Sequence, residues 1–89
     1  MTNLDVIINF VNGNAAHTAN VRSINGKLIN YSTVLAERLE DGSFIMNMTK
    51  YSPTTSKVQY YLRNELKGKK VKQTTKYVPI GTQRLSRYL

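Results

Sequence analysis

Residues 52–68 read SPTTSKVQYYLRNELKG and form the segment with the clearest structural pattern in the chain. Ser52 is a favourable N-cap residue, and Pro53 suits the first helical position, where its missing N–H would have no partner anyway. Apolar side chains then recur at helical spacing: Val58, Tyr61, Leu62 and Leu66. Gly68 follows as a stop signal. The spacing predicts an amphipathic helix over about residues 53–67.

The sequence before this helix has the alternating pattern of β-strands. Two hairpin signals, Asn25-Gly26 and Asp41-Gly42, separate runs in which apolar and polar residues alternate. One face of such a sheet needs a cover, which the amphipathic helix supplies. We therefore expect a single α+β domain over residues 1–89. Its sheet is predicted to be an antiparallel meander of three to four strands, within 18–24, 27–31, 33–39 and 43–49.

A short N-terminal helix completes the predicted fold. Its apolar residues stand at positions i, i+3, i+4 and i+7: Leu4, Ile7, Ile8 and Val11. Asn3 is the predicted N-cap, and Gly13 is the residue expected to end the helix. The β-branched side chains of this segment favour a strand instead, so a strand remains the alternative.

The composition argues against several kinds of chemistry. Cys is absent and His17 is the only histidine, so the usual ligands of a transition-metal site are missing. No serine stands in a nucleophile-elbow motif, and the five glycines are scattered as turn residues. We expect a non-enzymatic protein without metal or cofactor. The apolar stretch near the N-terminus is too short for a signal peptide or a membrane span, so we expect a soluble, cytoplasmic protein without a membrane partner.

The net charge of +8 is unevenly distributed along the chain. Residues 1–49 contain three basic and four acidic side chains, whereas residues 50–89 contain ten basic side chains and the single acid Glu65. Charge segregated in this way attracts polyanions at long range, and Lys and Arg spread over a surface match a phosphate backbone. The distribution favours nucleic acid as the partner, DNA more than RNA. A basic surface that only maintains solubility is the alternative.

The candidate contact residues lie in three segments of the basic half. The polar side of the predicted helix and the stretch 67–76, which holds five lysines, supply most of them, and the tail 82–89 adds two arginines. The alternatives are a merely solvated helix face, a mobile linker at 67–76 and a frayed tail. The complete set is Lys57, Tyr60, Arg63, Asn64, Lys67, Lys69, Lys70, Lys72, Lys76, Arg84 and Arg87.

Two blocks of the sequence, 30–36 and 47–57, resemble a group of short uncharacterised proteins encoded by bacteriophages and mobile elements. The first block reads NYSTVLA, a tyrosine-led strand that ends in Leu-Ala. The second reads NMTKYSPTTSK and has the form Asn-x-x-x-Tyr-Ser-x-Thr-Thr-Ser at the start of a helix. The resemblance covers about residues 14–62. It departs from the commoner pattern at Val58, where a histidine usually follows the block.

The resemblance implies either a DNA-binding accessory protein or an inhibitor of host defence, such as an anti-CRISPR protein. A chain with a charge of +8 is not an acidic DNA mimic. A basic inhibitor would instead contact DNA, guide RNA or an acidic surface of a Cas nuclease or another host nucleoprotein. The rival hypothesis is a protein–protein interaction module whose basic face binds an acidic partner without nucleic acid. An exposed sheet edge would also allow a homodimer.

Overall fold

A computed structural model describes all 89 residues as one α+β domain, which confirms the predicted fold class. Six strands form one sheet in the order β1 to β6. Neighbouring strands are antiparallel up to β5, and β6 then pairs parallel to β5. The elements are α1 (Asn3–Val11), β1 (Ala16–His17), β2 (Val21–Ile24), β3 (Lys27–Asn30), β4 (Thr33–Arg38), β5 (Phe44–Met46), α2 (Pro53–Glu65), β6 (Val71–Gln73) and the 3₁₀ turn η1 (Ser86–Tyr88).

The predicted count of three to four strands is too low, because two strands of the sheet lack an alternating pattern. β1 is only two residues long, and β6 lies inside the lysine-rich stretch 67–76. A parallel neighbour of β5 requires a crossover connection, which α2 provides. Both strands therefore form because the rest of the fold places these segments beside β2 and β5. The other four strands lie within the predicted ranges and are shorter than predicted.

The two hairpin turns differ in type. Asn25 and Gly26 both have positive φ (51° and 74°), as a two-residue type I′ turn between β2 and β3 requires. In the β4–β5 connection only Gly42 has positive φ (85°), and the Leu39 N–H donates to the Ser43 carbonyl at 2.8 Å. This is a three-residue loop over residues 40–42, so only the first of the two hairpin signals forms a two-residue turn.

The helix α2 begins where the sequence predicts and ends two residues earlier than predicted. The Ser52 hydroxyl accepts a hydrogen bond from the Thr55 N–H at 3.2 Å, and Pro53 occupies the first turn. Leu66 is the C-cap, and Gly68 with φ of 81° reverses the chain. The buried side of α2 consists of Thr55, Val58, Gln59 and Leu62.

The helix α1 is present, but its cap and its buried face differ from the prediction. Thr2, rather than Asn3, is the N-cap: its hydroxyl accepts from the Asp5 N–H and its own N–H donates to the Asp5 carboxylate. The buried side chains are Val6, Ile7 and Phe10, whereas Leu4 and Ile8 are exposed. Apolar residues occur on nearly every side of α1, so only packing against the sheet decides which side is buried.

Both faces of the sheet are covered, whereas the sequence predicts one cover. The two helices cover one face over a core of 12 buried residues, in which Phe10 of α1 meets Phe44 of β5 edge-on. On the other face, Val78 and, from the tail, Leu85 pack against Ile29, Val34 and Ile45. The tail is thus part of the fold, not a frayed end. Neither helix combines the length and the apolar composition needed to cross a bilayer.

Candidate nucleic-acid interface

A groove of about 480 Å³ lies between the C-terminal half of α2 and β6, and we call it the basic groove. Met46 and Leu66 are buried at its base, and Gln73 of β6 lines it from the sheet. It contains five of the eleven candidate contact residues: Tyr60, Arg63, Asn64, Lys67 and Lys69. The structure therefore brings together just under half of the set.

Helix geometry and one glycine turn explain this cluster. Tyr60 and Arg63 are three residues apart and therefore lie on one flank of α2, and Lys67 directly follows the C-cap Leu66. Gly68 then reverses the chain, and the Lys69 N–H donates to the Leu66 carbonyl at 3.1 Å. Lys69 consequently lies beside the end of the helix rather than beyond it. The positive side chains come from two elements and face a shared space.

No carboxylate lines the basic groove. Glu65 is only two residues from Arg63, so it lies on the opposite flank of α2. Two of the other acids already accept hydrogen bonds elsewhere: Glu37 from the Leu85 N–H at 2.6 Å, and Asp5 from the Thr2 N–H at 2.8 Å. The positive charge of Arg63, Lys67 and Lys69 thus has no acidic neighbour within the groove.

Lys70 and Lys72 lie near a carboxylate outside the basic groove. The pKa of Asp41 is held below its ordinary value, first by hydrogen bonds from the Ser43 hydroxyl and N–H, and then by attraction to Lys70 and Lys72. Asp41 offsets part of the charge of these two lysines. Lys72 also follows Val71, which packs on the helix side, so it points to the opposite face of the sheet.

The remaining candidates lie on other surfaces. Lys57 lines a groove between the two helix N-termini, with its ammonium 6.0 Å from the centre of the Tyr61 ring. Arg84 and Arg87 belong to the tail, on the face of the sheet opposite to the helices. Lys76 lies outside the basic groove and lines a neighbouring groove beside Lys50. The sheet separates the helices from the tail, so Arg84 and Arg87 do not lie on the surface that carries the basic groove.

A second opening of about 420 Å³ lies where β3 turns into β4, and we call it the tyrosine cleft. Tyr31, Tyr51, Tyr77, Ile80 and Lys50 line it, together with small polar side chains. Three of these are unusually exposed for large apolar residues: Tyr31 at 57%, Tyr77 at 65% and Ile80 at 71%. The cleft therefore offers aromatic surface to solvent beside one positive charge.

Hydrogen bonds between distant segments hold the tyrosine cleft together. The Thr55 hydroxyl donates to the side-chain oxygen of Asn30 at 2.7 Å, which fixes the start of α2 to the end of β3. The Tyr51 hydroxyl donates to the Val78 carbonyl, which fixes the tail to the loop before α2. Burial raises the pKa of Tyr51, so its hydroxyl keeps the proton that it donates.

Asn47 is the polar centre of this network and is fully buried. Its amide nitrogen donates to the Val34 carbonyl at 3.0 Å and to the Tyr51 hydroxyl at 2.9 Å, and its side-chain oxygen accepts from the Thr49 N–H. One buried side chain thus joins β4, the loop after β5 and the tyrosine cleft. Such a group is expensive to bury unless every hydrogen bond is formed.

Tyr31 has a positive φ of 55°, which costs a bulky residue about 1–2 kcal/mol. The surrounding turn holds this conformation, since the Tyr31 N–H donates to the Asn20 carbonyl at 2.9 Å. Asn or Gly would adopt the same backbone at lower cost. The requirements of the turn do not explain a tyrosine at this position.

A third, shallower groove, which we call the connecting groove, follows the stretch of chain between the two openings. It is lined by residues 48–50 and 74–77, and it shares Lys50 and Tyr77 with the tyrosine cleft. At its other end, Thr74 directly follows Gln73 of the basic groove. The three openings together form what we call the β6 track, which runs along the free edge of the sheet from Lys69 to Tyr77.

Sequence reasoning missed four residues of the β6 track: Tyr31, Lys50, Gln73 and Tyr77. Tyr31 and Lys50 stand inside the two blocks that carry the phage resemblance, yet nothing in either block indicates that they meet. Gln73 and Tyr77 lie in segments without a periodic pattern. Only the contacts between segments place these side chains together.

Comparison with known proteins gives no match to a protein-family model, to a curated protein or to a solved structure. The chain also has no group of three or more His, Asp or Glu side chains placed to hold a metal ion.

Proposed function

We propose that this protein binds nucleic acid through phosphate contacts made in the basic groove. The observation that carries the proposal is the convergence of Arg63, Lys67 and Lys69 on a groove that no carboxylate lines. Tyr60 and Asn64 add a ring and an amide between the positive charges. Phosphate contacts of this kind come from Lys and Arg together with Tyr and Asn side chains.

The proposed activity is binding without catalysis, and DNA is the preferred target. Within this proposed activity, the phage resemblance suggests an anti-CRISPR role, in which the basic groove binds DNA or guide RNA at a Cas nuclease. Such an inhibitor acts in the cytoplasm of the infected cell. The positive groove suits a nucleic-acid strand or the nucleoprotein that carries it, and it does not imitate DNA.

A salt titration with charge-matched variants tests the proposal. The groove variant replaces Arg63, Lys67 and Lys69 by alanine; the control variant replaces Lys57, Arg84 and Arg87 by alanine and removes the same charge from other surfaces. Binding of wild-type protein to a labelled DNA strand should weaken roughly 20- to 40-fold between about 50 and 200 mM salt, as expected when Arg63, Lys67 and Lys69 each neutralise one phosphate.

The groove variant should lose most of this binding, whereas the control variant should lose far less. Equal losses in the two variants would mean that net charge alone matters and that the groove is not the site. If the wild-type protein binds neither DNA nor RNA at about 50 mM salt, nucleic-acid binding is excluded.

One observation favours a protein partner as the second candidate. β6 pairs only with β5, so the N–H and C=O groups of Val71 and Gln73 point away from the sheet. An extended acidic segment could pair with this edge and meet Lys70 and Lys72. A homodimer through the same edge would bring these lysines opposite their own copies, at an electrostatic cost. Failure of nucleic-acid binding in the titration would favour the acidic protein partner.

A further inference from the structure

We propose that the tyrosine cleft binds an unpaired nucleobase and that the target is single-stranded nucleic acid lying along the β6 track. The inference rests on the proposed function, because it assigns the basic groove to the backbone of the same strand. It adds a second site, which no charge pattern in the sequence indicates, and it names the form of nucleic acid.

The chemistry of the tyrosine cleft favours a flat aromatic ligand. Tyr31 and Tyr77 line one opening and remain more than half exposed, and Ile80 adds exposed apolar surface to the same opening. Proteins that bind single strands combine a basic groove with aromatic side chains on which bases stack. Stacking tolerates every base, since each has a π-face. A base in a duplex keeps both faces covered by its neighbours, so it cannot enter such a cleft without leaving the stack.

The strained backbone of Tyr31 is an independent observation. A positive φ is costly for tyrosine, and the turn between β3 and β4 would be easier to form with asparagine. Residues held in such conformations cluster at binding sites, where the surrounding structure maintains them. The strain is consistent with a ring that is held at the cleft for contact with a ligand.

Charge and distance link the tyrosine cleft to the basic groove. Lys50 lines both the cleft and the connecting groove, and Lys76 lines the connecting groove further along. These ammonium groups can neutralise phosphates between the two ends. The nine residues from Lys69 to Tyr77 span at most about 28 Å when extended. At about 3.4 Å per stacked nucleotide, a single strand of about four to eight nucleotides fits this length.

The experiment compares three probes that differ in one property at a time. The first is a labelled mixed-sequence DNA strand of about 12 nucleotides, a length within the usual site sizes of single-strand binders. The second is the same strand with abasic sugars, which keeps the phosphates and removes the bases. The third is the corresponding duplex. Fluorescence anisotropy at constant low salt measures the affinity of each for the full chain.

Wild-type protein should bind the normal strand more tightly than the abasic strand and the duplex. Tyr31→Asn and Tyr77→Ala should each weaken binding to the normal strand by roughly 5- to 150-fold, the range for one stacked base, and leave abasic binding unchanged. Tyr31→Asn should fold at least as well as wild-type, because asparagine tolerates the positive φ. Lost binding in this variant is therefore not a consequence of unfolding, which thermal denaturation verifies.

The outcomes separate the two proposals. If the tyrosine variants bind the normal strand like wild-type, or if wild-type binds the abasic strand equally well, the cleft does not take a base and only this inference fails. If wild-type binds none of the three probes at low salt, the proposed function fails and this inference fails with it. Tighter binding to the duplex than to the single strand would also overturn the inference.

Discussion

The basic groove and the tyrosine cleft lie at opposite ends of one track, yet they are built in different ways. The groove consists of exposed side chains on one flank of α2 and in the turn after it, so its residues lie within ten positions of one another, apart from the sheet residues at its base. The cleft is assembled from three segments, around residues 30–33, 50–55 and 77–80. Local geometry explains the groove, whereas hydrogen bonds over 25 or more positions maintain the cleft.

Because of this difference, the side chains that bind a ligand and the side chains that stabilise the fold can be changed separately. Side chains of the groove can change without disturbing any buried group, because α2 is positioned by its opposite side. The buried polar side chains behind the cleft, Asn47 and Thr55, cannot be removed without leaving a hydrogen-bond partner unpaired. Substitutions of exposed side chains in either opening should therefore affect binding, whereas substitutions of the buried polar side chains behind the cleft should affect folding. The following predictions test that distinction, beginning with the largest expected effect on the free energy of unfolding.

Asn47→Ala should lower the free energy of unfolding by about 2–4 kcal/mol, because it leaves the Val34 carbonyl and the Thr49 N–H without their partner. Urea denaturation measures the loss. Asn64→Ala is the matched control: Asn64 lines the groove on α2, and alanine favours a helix, so stability should stay the same or rise. Equal losses in the two variants would contradict the distinction between groove and cleft.

Thr55→Val should cost about 1–3 kcal/mol, because it keeps the shape of the side chain and removes the hydroxyl that donates to Asn30. The neighbouring Thr54→Val provides the control, since Thr54 is exposed on the same turn of α2. Thermal denaturation of both variants compares the two positions directly. A Thr55→Val protein as stable as the control would show that this bond does not hold β3 to α2.

Tyr51→Phe should cost about 1–2 kcal/mol near neutral pH, because the hydroxyl bridges Asn47 and the Val78 carbonyl. The pKa of Tyr51 is raised in the fold, so its stabilising effect is complete below the ordinary pKa of 10.0 and declines as pH rises above it. The stability difference between wild-type and variant should consequently shrink at high pH. A difference that stays constant up to about pH 11 would contradict this linkage.

Arg63→Ala should change the free energy of unfolding by less than about 1 kcal/mol, since Arg63 is exposed and contributes only a favourable charge in the last turn of α2. It should reduce the slope of log affinity against log salt by about one, because one phosphate contact is lost. Arg87→Ala, on the opposite face, should leave that slope unchanged. A large loss of stability in Arg63→Ala would contradict the prediction that Arg63 contributes to binding and not to folding.

The sequence determines the features that depend on neighbours within about four residues. The cap of α2 at Ser52, the type I′ turn at Asn25-Gly26 and the common flank of Tyr60 and Arg63 are of this kind. Each follows from backbone geometry and hydrogen bonds inside a single turn. These local rules are sufficient to predict the helix, the hairpin and most of the basic groove.

The tertiary structure alone decides the features that join distant parts of the chain. The pairing of β6 with β5, the burial of Leu85 on the second face and the placement of Tyr31 and Tyr77 at one opening all join residues 25 or more positions apart. No periodic pattern marks them, because the energy that forms them comes from burial and hydrogen bonds made only after the sheet has assembled. The tyrosine cleft is therefore a property of the folded chain, whereas the charged side of the basic groove is already specified by α2 and the turn after it.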